Sequence, residues 1–468
     1  MVLSKTMCYP EAFRKRKRPI LINSWEAYYM KINEHRLYQL AKKAKRLGIE
    51  MLVIDDGWFK GRNKDNSSLG DWVYDKRKFR RGLGSFAKRI KQLGLKLGIW
   101  VEPEMISVNS DLYREHPEYA VDIPNQKHSE GRNQRLLDLC NPEVVDYVIK
   151  AISDLLGSAD ISYVKWDYNR NISDAYSKYL KTSDGFYHRY ILGLYKIMDA
   201  LTKSFPDILF EGCASGGNRF DLGILSYFPE IWASDNTDAI CRLKIQKNLS
   251  YGYPPCTYSN HVSSVPNHQT LRSLPLFTRF AVACFGIFGY ELNLNELTGN
   301  EKRDIRRQVA IYKEYRDVFQ FGAFHLLEDN DEYCSFEAIA LDKTRAVIML
   351  VRKEISPHQP FKLLKGKGFK DDGRYQIANL PLKYEIERFG DLVNYVSPVH
   401  ISRFNLLRKL RVMNSEKMEM LVDGKALNEA GIKLDQSFCG CGYNANTRLM
   451  GQYDAMLYFI NEIKGEVQ

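Results

Sequence analysis

Eight short apolar runs, separated by segments of helical periodicity, constrain the fold of this chain more than any other feature. The runs cover residues 19–25, 51–58, 96–104, 163–169, 208–217, 230–238, 256–264 and 283–291. A typical separator carries Val145, Val148, Ile152 and Leu155 at helical spacing. Parallel strands that alternate with helices are buried on both faces and therefore read as continuous apolar runs. Eight such repeats predict an α/β fold, a closed (β/α)8 TIM barrel, in which the mostly polar seventh run is the weakest strand.

The rhythm of the sequence changes after about Phe321. Shorter alternating segments follow, such as the run over residues 345–353, and turn residues become denser. A chain of 468 residues also exceeds the roughly 250–300 residues that one core supports. We therefore predict a basic N-terminal arm over residues 1–18, a catalytic barrel over 19–325, and a smaller antiparallel β-sheet domain over 326–468.

The positive charge does not by itself indicate a nucleic-acid partner. The formal charge is +11, but the 68 lysines and arginines are spread among 57 acidic residues. The one dense basic run, RKRKR at residues 14–18, fits a solvated arm better than a nucleic-acid signal. The longest apolar region, residues 280–290, is too short to span a bilayer. We expect neither a nucleic-acid partner nor a membrane partner.

The histidines and cysteines predict neither a metal site nor a cofactor. His261 and His268 have no carboxylate at ligand spacing, and Cys439 and Cys441 lack the spacing of a zinc site. The glycine-rich stretch at residues 212–217 lacks the lysine and serine of a P-loop, so its glycines are expected to let backbone approach a ligand. Nine scattered cysteines and the lack of an apolar N-terminal segment suited to a signal peptide predict a cytoplasmic protein.

Polar and aromatic residues gather at the C-terminal ends of the runs, which is the end of a TIM barrel that carries active sites. Trp25, Trp58, Trp100 and Trp166 offer flat apolar faces for a ligand with hydroxyl groups, such as a sugar. The candidate carboxylates at the same end are Asp55, Asp56, Glu102, Glu104, Asp167, Glu211, Asp235 and Asp238. A turn held by its own aspartate side chains is the alternative explanation for Asp55 and Asp56.

Glycoside cleavage requires one carboxylate that attacks or activates water and one carboxyl that protonates the leaving oxygen. Asp167 is the best candidate nucleophile, because Lys165 lies two residues earlier on the same strand face and favours the ionised form. Asp235 lies within the sixth run, directly after IWAS at the predicted end of its strand, has fewer cations nearby and suits the acid. Spacing alone does not choose it over Asp238 or Glu211.

Seven motifs in order resemble those of glycoside hydrolase family 36, the bacterial α-galactosidases. They are INSWEAYY, IDDGWF, GIWVEPEM, GRNQ, YVKWDYNR, EGCASGGNRFD and WASDNTDA. The resemblance continues into the tail through LNEAGIKLDQSF and GYN. Members of this family usually carry a large N-terminal β-sandwich, whereas only about eighteen residues precede the first run here.

The resemblance implies a role for each matched residue. Asp167 is then the nucleophile and Asp235 the acid/base, while Asp55 and Asp56 hold the galactose O4 and O6 hydroxyls. The remaining implied contacts with substrate are Trp100 beside the sugar, Arg132, Lys165 and Asn169 at ring hydroxyls, Cys213 and Gly216 near O2, and Trp25 at the pocket entrance.

The implied activity is the release of terminal α-linked galactose from oligosaccharides such as melibiose and raffinose by a retaining mechanism. Three alternatives remain: α-N-acetylgalactosaminidase activity, α-galactosyl transfer to sugar acceptors, and an inactive sugar-binding remnant that lacks the N-terminal domain. The implied partner is a small oligosaccharide, and a homo-oligomer is possible.

Overall fold

A computed structural model of the chain describes residues 9–356, 361–387, 402, 405–434 and 450–463. These residues form two compact units. The first comprises residues up to 238 together with 256–272 and 286–314, and the second comprises 239–255, 273–285 and residues from 315 onward.

The first unit is built on a closed barrel of eight parallel strands, which confirms the predicted fold class. The strands are β1 (Leu21–Asn23), β2 (Met51–Ile54), β3 (Lys96–Val101), β4 (Tyr163–Trp166), β5 (Leu209–Gly212), β6 (Glu230–Trp232), β7 (Tyr258–Ser263) and β8 (Ile287–Glu291). Each strand pairs with its neighbours in chain order, and β8 closes the barrel against β1. Each of the eight apolar runs contains one strand, including the polar seventh run, all of whose strand residues are buried.

Helices lie between the strands because the intervening segments place apolar residues at the spacing of a helix. Pro142–Gly157 is representative: Asn141 caps it by accepting the Glu143 backbone N–H at 2.9 Å, and it buries Val148 and Ile152. The other α-helices of this unit are Trp25–Tyr28, Glu34–Leu47, Leu83–Gln92, Asp111–Glu115, Phe186–Ser204 and Leu222–Leu225. A small antiparallel pair joins Met105–Ile106 to Arg135–Leu136.

The second unit contains a six-stranded antiparallel sheet with strand order β9-β10-β11-β14-β12-β13. Its strands are β9 (Ala323–Asp329), β10 (Tyr333–Ile339), β11 (Arg345–Arg352), β12 (Arg374–Asn379), β13 (Glu419–Asp423) and β14 (Ala455–Glu462). Its core includes the fully buried Tyr375, Leu427 and Tyr458.

Further short elements complete this second unit. Two-stranded pairs join Lys362–Leu364 to Ile432–Leu434 and Lys383–Glu385 to Arg411–Asn414. Its α-helices are Ala239–Ser250, Leu276–Ala283 and Gly424–Glu429. The helix Gly299–Phe321 spans the change from the first unit to the second and leaves helical geometry at Tyr315.

The predicted basic arm is only partly solvated. Arg14, Lys15 and Lys17 are exposed, but Arg18 is 1% exposed. Its Nε lies 3.4 Å from Glu230 Oε2, at the start of β6. Because a buried guanidinium needs polar partners, this contact with Glu230 explains why the last residue of the basic run turns inward.

The domain boundaries at residues 18 and 325, the cytoplasmic location and the homo-oligomer stay predictions. Cys439 and Cys441, the GYN motif and the end of LNEAGIKLDQSF lie outside the described residues. Within the described ranges, no helix is both long enough and apolar enough to cross a membrane.

Candidate active site

A cavity of about 170 Å³ opens at the C-terminal ends of the barrel strands. The predicted residues that line it together are Trp25, Asp55, Asp56, Trp100, Arg132, Lys165, Asn169, Asp167 and Asp235. Its other lining residues, to which the sequence had assigned no site role, are Glu26, Tyr29, Trp232, Thr237, Gln269 and Glu291.

Asp167 directly follows β4 and is held by hydrogen bonds to both carboxylate oxygens. Trp100 Nε1 and Asn169 Nδ2 donate to Oδ2 at 3.1 and 2.6 Å, and the Tyr168 backbone N–H donates to Oδ1 at 2.8 Å. The carboxylate is therefore fixed in orientation, as a nucleophile that must meet one carbon atom requires.

The charge state of Asp167 results from opposing influences. Burial raises its pKa, but the Lys165 ammonium and hydrogen bonds from Cys213, Asn169 and the Tyr168 backbone outweigh it, and the net pKa is lowered. The predicted effect of Lys165 on Asp167 agrees with this direction. Asp167 is accordingly a buried carboxylate that stays ionised.

Asp235 lies three residues beyond the end of β6 and differs from Asp167 in its surroundings. The residue as a whole is exposed, although protein surrounds most of its carboxyl group, and Oδ1 of this group accepts one hydrogen bond at 2.9 Å from Trp232 Nε1. Loss of hydration against the surrounding protein and the charge of Asp167 raise its pKa, and Lys165 opposes them only in part. Two carboxyl groups of opposite tendency therefore share one cavity.

Cys213 and Gly216 do not line this cavity but lie beside it. The Cys213 thiol is a hydrogen-bond partner of Asp167. Gly216 has φ of 89°, and a Cβ at this position would lie 2.7 Å from Ser234 Cα and 3.0 Å from the Asp235 backbone nitrogen. Glycine is required there because any side chain would push away the segment that carries Asp235.

Asp55 is anchored on both sides at the end of β2. Its Oδ2 accepts from Asn23 Nδ2 at 2.7 Å and from Lys165 Nζ at 3.1 Å. Its Oδ1 accepts the Asp56 backbone N–H at 2.8 Å, so the alternative of a self-bonded aspartate turn is also partly realised.

Arg62, to which the sequence had assigned no role, clamps Asp56 in bidentate geometry. Its Nε and Nη2 donate to Oδ1 and Oδ2 of Asp56 at 3.0 and 2.8 Å. Burial raises the pKa of Asp56, and Arg62 is the strongest influence that opposes the rise. Arg62 also binds Asp65, whose Oδ1 lies 3.8 Å from Arg132 at the cavity edge.

The prediction that four tryptophans face the ligand is wrong for two of them. Trp58 and Trp166 are fully buried and lie outside the cavity lining. The Trp58 indole donates to the Trp100 carbonyl at 2.8 Å, and the Trp166 indole donates to Glu104 at 3.0 Å. Both therefore pack beneath the cavity, where Trp58 holds the backbone of Trp100 and Trp166 holds Glu104.

Four of the candidate carboxylates also lie outside the cavity lining: Glu102, Glu104, Glu211 and Asp238. Glu104 is paired with Arg219 at 2.8 Å, and Asp238 is paired with Arg272. A carboxylate that is already neutralised by an arginine is poorly suited to give up a proton. Of the three carboxylates that spacing left open as the acid, Asp235, Asp238 and Glu211, Asp235 is the one that lines the cavity.

The histidines and cysteines have ordinary roles in the described part of the chain. His261 pairs with Glu291 at 2.9 Å, and the His268 ring lies 5.6 Å from the Tyr29 ring between centroids. Within the described ranges, no three or more histidines, cysteines, aspartates and glutamates are grouped as metal ligands. The described cysteines are free thiols.

The sequence profile of the melibiase family matches residues 2–322, which contain the whole barrel and every residue of this cavity. The chain belongs to the melibiase family. Its relatives include the α-galactosidase AgaA of Geobacillus stearothermophilus, 47% identical over 384 residues, which are 81% of this chain and 52% of the relative. The α-galactosidase Mel36A of Lactobacillus acidophilus is 46% identical over 78% of this chain and 50% of the relative.

Crystal structures of melibiase relatives share this fold. The AgaA structure superposes with a TM-score of 0.85 at 39% identity, covering 99% of this chain and 58% of that one. A variant of the same enzyme was crystallised in complex with raffinose, and that structure also superposes on this chain with a TM-score of 0.85. The present melibiase chain spans about half the length of the curated relatives it matches.

Proposed function

We propose that this chain is a retaining α-galactosidase that releases terminal α-linked galactose from small oligosaccharides such as melibiose and raffinose. The observation that carries the proposal is one cavity with two aspartates, one with a lowered pKa and one with a raised pKa. Double displacement needs this division between a nucleophile and an acid. The α-galactosidase relatives and the raffinose complex support galactosides as the substrate class.

In the first step, a carboxylate oxygen of Asp167 attacks the anomeric carbon of galactose. The bond between that carbon and the glycosidic oxygen breaks, and Asp235 gives its proton to the departing oxygen. The product is a galactosyl ester of Asp167. The hydrogen bonds from Trp100 and Asn169 hold the nucleophile in line for this attack.

In the second step, Asp235 acts as a base. It accepts a proton from water while the water oxygen attacks the anomeric carbon and the ester bond to Asp167 breaks. Two inversions at one carbon return the original configuration, so α-galactose is the first product.

Asp55 and Asp56 are proposed to accept hydrogen bonds from galactose O4 and O6. Both carboxylates are fixed before substrate arrives, Asp55 by Asn23 and Lys165 and Asp56 by Arg62. Fixed acceptors discriminate between sugars because a hydroxyl that points the wrong way cannot reach them and loses its own hydrogen bond on leaving water. This supports a preference for the axial O4 of galactose.

The other proposed contacts follow the same cavity. Trp100 and Trp25 present aromatic surface, while Arg132, Lys165 and Asn169 present polar atoms to the ring hydroxyls. Cys213 and Gly216 are proposed to restrict space near O2, which favours a hydroxyl over an N-acetyl group there.

The decisive experiment compares hydrolysis of p-nitrophenyl α-galactoside with that of its N-acetyl analogue by the 468-residue chain. We expect hydrolysis of the galactoside and α-galactose as the first anomer seen by NMR. Hydrolysis of the N-acetyl compound alone would refute the substrate, and β-galactose as first product would refute retention. Absence of turnover with retained galactose binding would favour the non-catalytic alternative, and predominant transfer to added sugar acceptors would favour a transferase.

A variant assay tests the nucleophile. Asp167→Ala is expected to abolish turnover, and added azide is expected to restore it with β-galactosyl azide as product, because azide enters the space left by the carboxylate. Asp160→Ala, at an exposed aspartate paired with Lys91, is the matched control and is expected to keep full activity. An unchanged rate in Asp167→Ala would remove this residue from the mechanism.

A further inference from the structure

A further carboxylate, Glu291, faces the proposed active-site cavity and has no role in the two-step reaction described above. It is the last residue of β8, is 3% exposed, and lines the same cavity as Asp167 and Asp235. A buried carboxylate needs a compensating partner, and such a group in a catalytic cavity is a candidate functional residue.

Glu291 is connected to Asp235 through two side chains on neighbouring strands. Its Oε2 lies 2.9 Å from Nδ1 of His261 on β7. The His261 ring packs on the Trp232 ring of β6, with centroids 4.5 Å apart at 34°. The Trp232 indole in turn donates to Oδ1 of Asp235 at 2.9 Å. The chain of contacts therefore runs from a buried carboxylate to the proposed acid.

The backbone of β8 leaves little space around His261, the residue between Glu291 and Trp232. Gly289 is the register partner of His261, and a Cβ at Gly289 would lie 2.7 Å from the His261 Cδ2 atom. The imidazole therefore lies close to the β8 backbone at Gly289 as well as to the Trp232 ring. In a closely packed interior, a displacement of Glu291 or His261 is expected to shift Trp232.

The charged and titratable groups around the two carboxyls define their electrostatics. The titratable groups near Glu291 and Asp235 are His261 of β7, Lys165 of β4, Asp167 after β4, Cys213 after β5 and Tyr29 after β1. After burial and Asp167, Glu291 is a further group that raises the pKa of Asp235, while Lys165 and the hydrogen bond from Trp232 lower it. Glu291 also favours the charged form of Lys165, although Asp55 does so more strongly.

We propose that Glu291 is a positioning residue for the acid/base Asp235, acting through His261 and Trp232 and through its own negative charge. This inference rests on the proposed function of Asp235. Glu291 favours the protonated acid before the first step and keeps the indole aligned with the carboxyl that protonates the departing oxygen. Removing its charge should make Asp235 lose its proton at lower pH.

The test is the pH dependence of kcat/KM for melibiose in Glu291→Gln, since kcat/KM reports the free enzyme and the step that needs the acid. The alkaline limb is expected to move to lower pH, with a loss of roughly tenfold on that side and little change on the acid plateau. With 2,4-dinitrophenyl α-galactoside, whose leaving group needs no proton, the alkaline loss is expected to disappear. Glu291→Asp keeps the charge and should keep the limb near its wild-type position.

Glu337→Gln is the matched control, because Glu337 is a buried carboxylate that pairs with His325 at 2.7 Å in the second unit. It should leave the alkaline limb in place. An unmoved limb in Glu291→Gln, or an equal loss with both substrates at every pH, would overturn the proposal and indicate direct sugar binding or a purely structural role.

A readout that needs no turnover separates this inference from the proposed activity. The carboxyl ¹³C resonance of Asp235, assigned by comparison with Asp235→Asn, should titrate at lower pH in Glu291→Gln than in wild type. Were the wild-type chain inactive on galactosides, the α-galactosidase proposal would fail while this titration still decided the role of Glu291.

Discussion

Replacing Arg62 with lysine tests how strongly the loop after β2 fixes the carboxylate of Asp56, which lines the cavity and is proposed to bind sugar. Besides its two bonds to Asp56, the Arg62 guanidinium donates from Nη1 to the backbone oxygens of Asp65 and Ser67 at 2.8 and 2.9 Å. The side chain is only 1% exposed, so water has little access to replace a lost bond. The clamp therefore depends on the five-donor fork of arginine.

The expected magnitude follows from the bonds that lysine cannot make. Lysine keeps the charge but carries its donors on one nitrogen, so it cannot hold both Asp56 oxygens and also reach the Asp65 and Ser67 carbonyls. Hydrogen bonds to charged groups contribute roughly 1.5–3 kcal/mol each, and we expect Arg62→Lys to lower the free energy of unfolding by about 3 kcal/mol. Loss of one aligned acceptor for a sugar hydroxyl should lower kcat/KM for melibiose about 10- to 100-fold.

Urea unfolding and melibiose hydrolysis measure the two effects. Arg77→Lys is the matched control, because Arg77 also bonds an aspartate, Asp75, but from an exposed side chain, and we expect no measurable change. In an Asp56→Asn background, the Arg62→Lys change should cost much less than in wild type, since the charged partner is gone. Equal stability and equal kcat/KM in Arg62→Lys and wild type, or additive costs in the double variant, would refute the clamp.

Two further predictions concern stability. Gly193→Ala should lower the free energy of unfolding by about 1–3 kcal/mol, because the new Cβ would lie 2.1 Å from the Leu139 carbonyl oxygen. Gly185→Ala is the control, since a Cβ there would have nothing within 4 Å, and equal urea midpoints for the two variants would contradict the prediction. Burial and the neighbouring Glu211 raise the pKa of Glu230 to about 8, so the folded state binds an extra proton above the ordinary glutamate pKa. Its contribution to stability is therefore present at low pH and lost as the pH rises toward 8, and Glu230→Gln should flatten that decline in urea titrations.

The barrel could be predicted from sequence because its strands are buried on both faces. The apolar residues that pack in the interior show where each strand lies, and the C-terminal end of each run shows where the strand reaches the end of the barrel that carries the cavity. This logic placed Asp55, Lys165 and Asp167 correctly in one cavity, although they are far apart in sequence. Even the polar run at residues 256–264 obeyed it, since periodicity of the whole chain outweighed its local composition.

The failures have physical causes that a strand-end rule does not contain. Trp58 and Trp166 lie at strand ends as Trp100 does, but an indole N–H seeks an acceptor, and theirs lie behind the site at the Trp100 carbonyl and at Glu104. Arg62 lies in a loop, where only the folded path brings its guanidinium to Asp56. Glu291 is different, because it ends the eighth run. The expectation that polar residues at the C-terminal ends of the runs line the site applies to it and could have identified it.

The contrast between the two aspartates depends on how far each lies beyond its strand. Asp167 is the first residue after β4, so the backbone N–H of Tyr168 and the side chains of flanking residues point at it, and the ammonium of Lys165 projects from the same strand face. Asp235 is three residues past β6, beyond the reach of the strand backbone, and the described hydrogen bond to it comes from Trp232. Many hydrogen-bond donors lower the pKa of a carboxyl group, whereas few donors and a neighbouring negative charge raise it. Moving the proposed acid closer to its strand would add backbone donors and lower its pKa. The length of the segment between the end of β6 and Asp235 should therefore matter to the proposed chemistry as much as the aspartate itself.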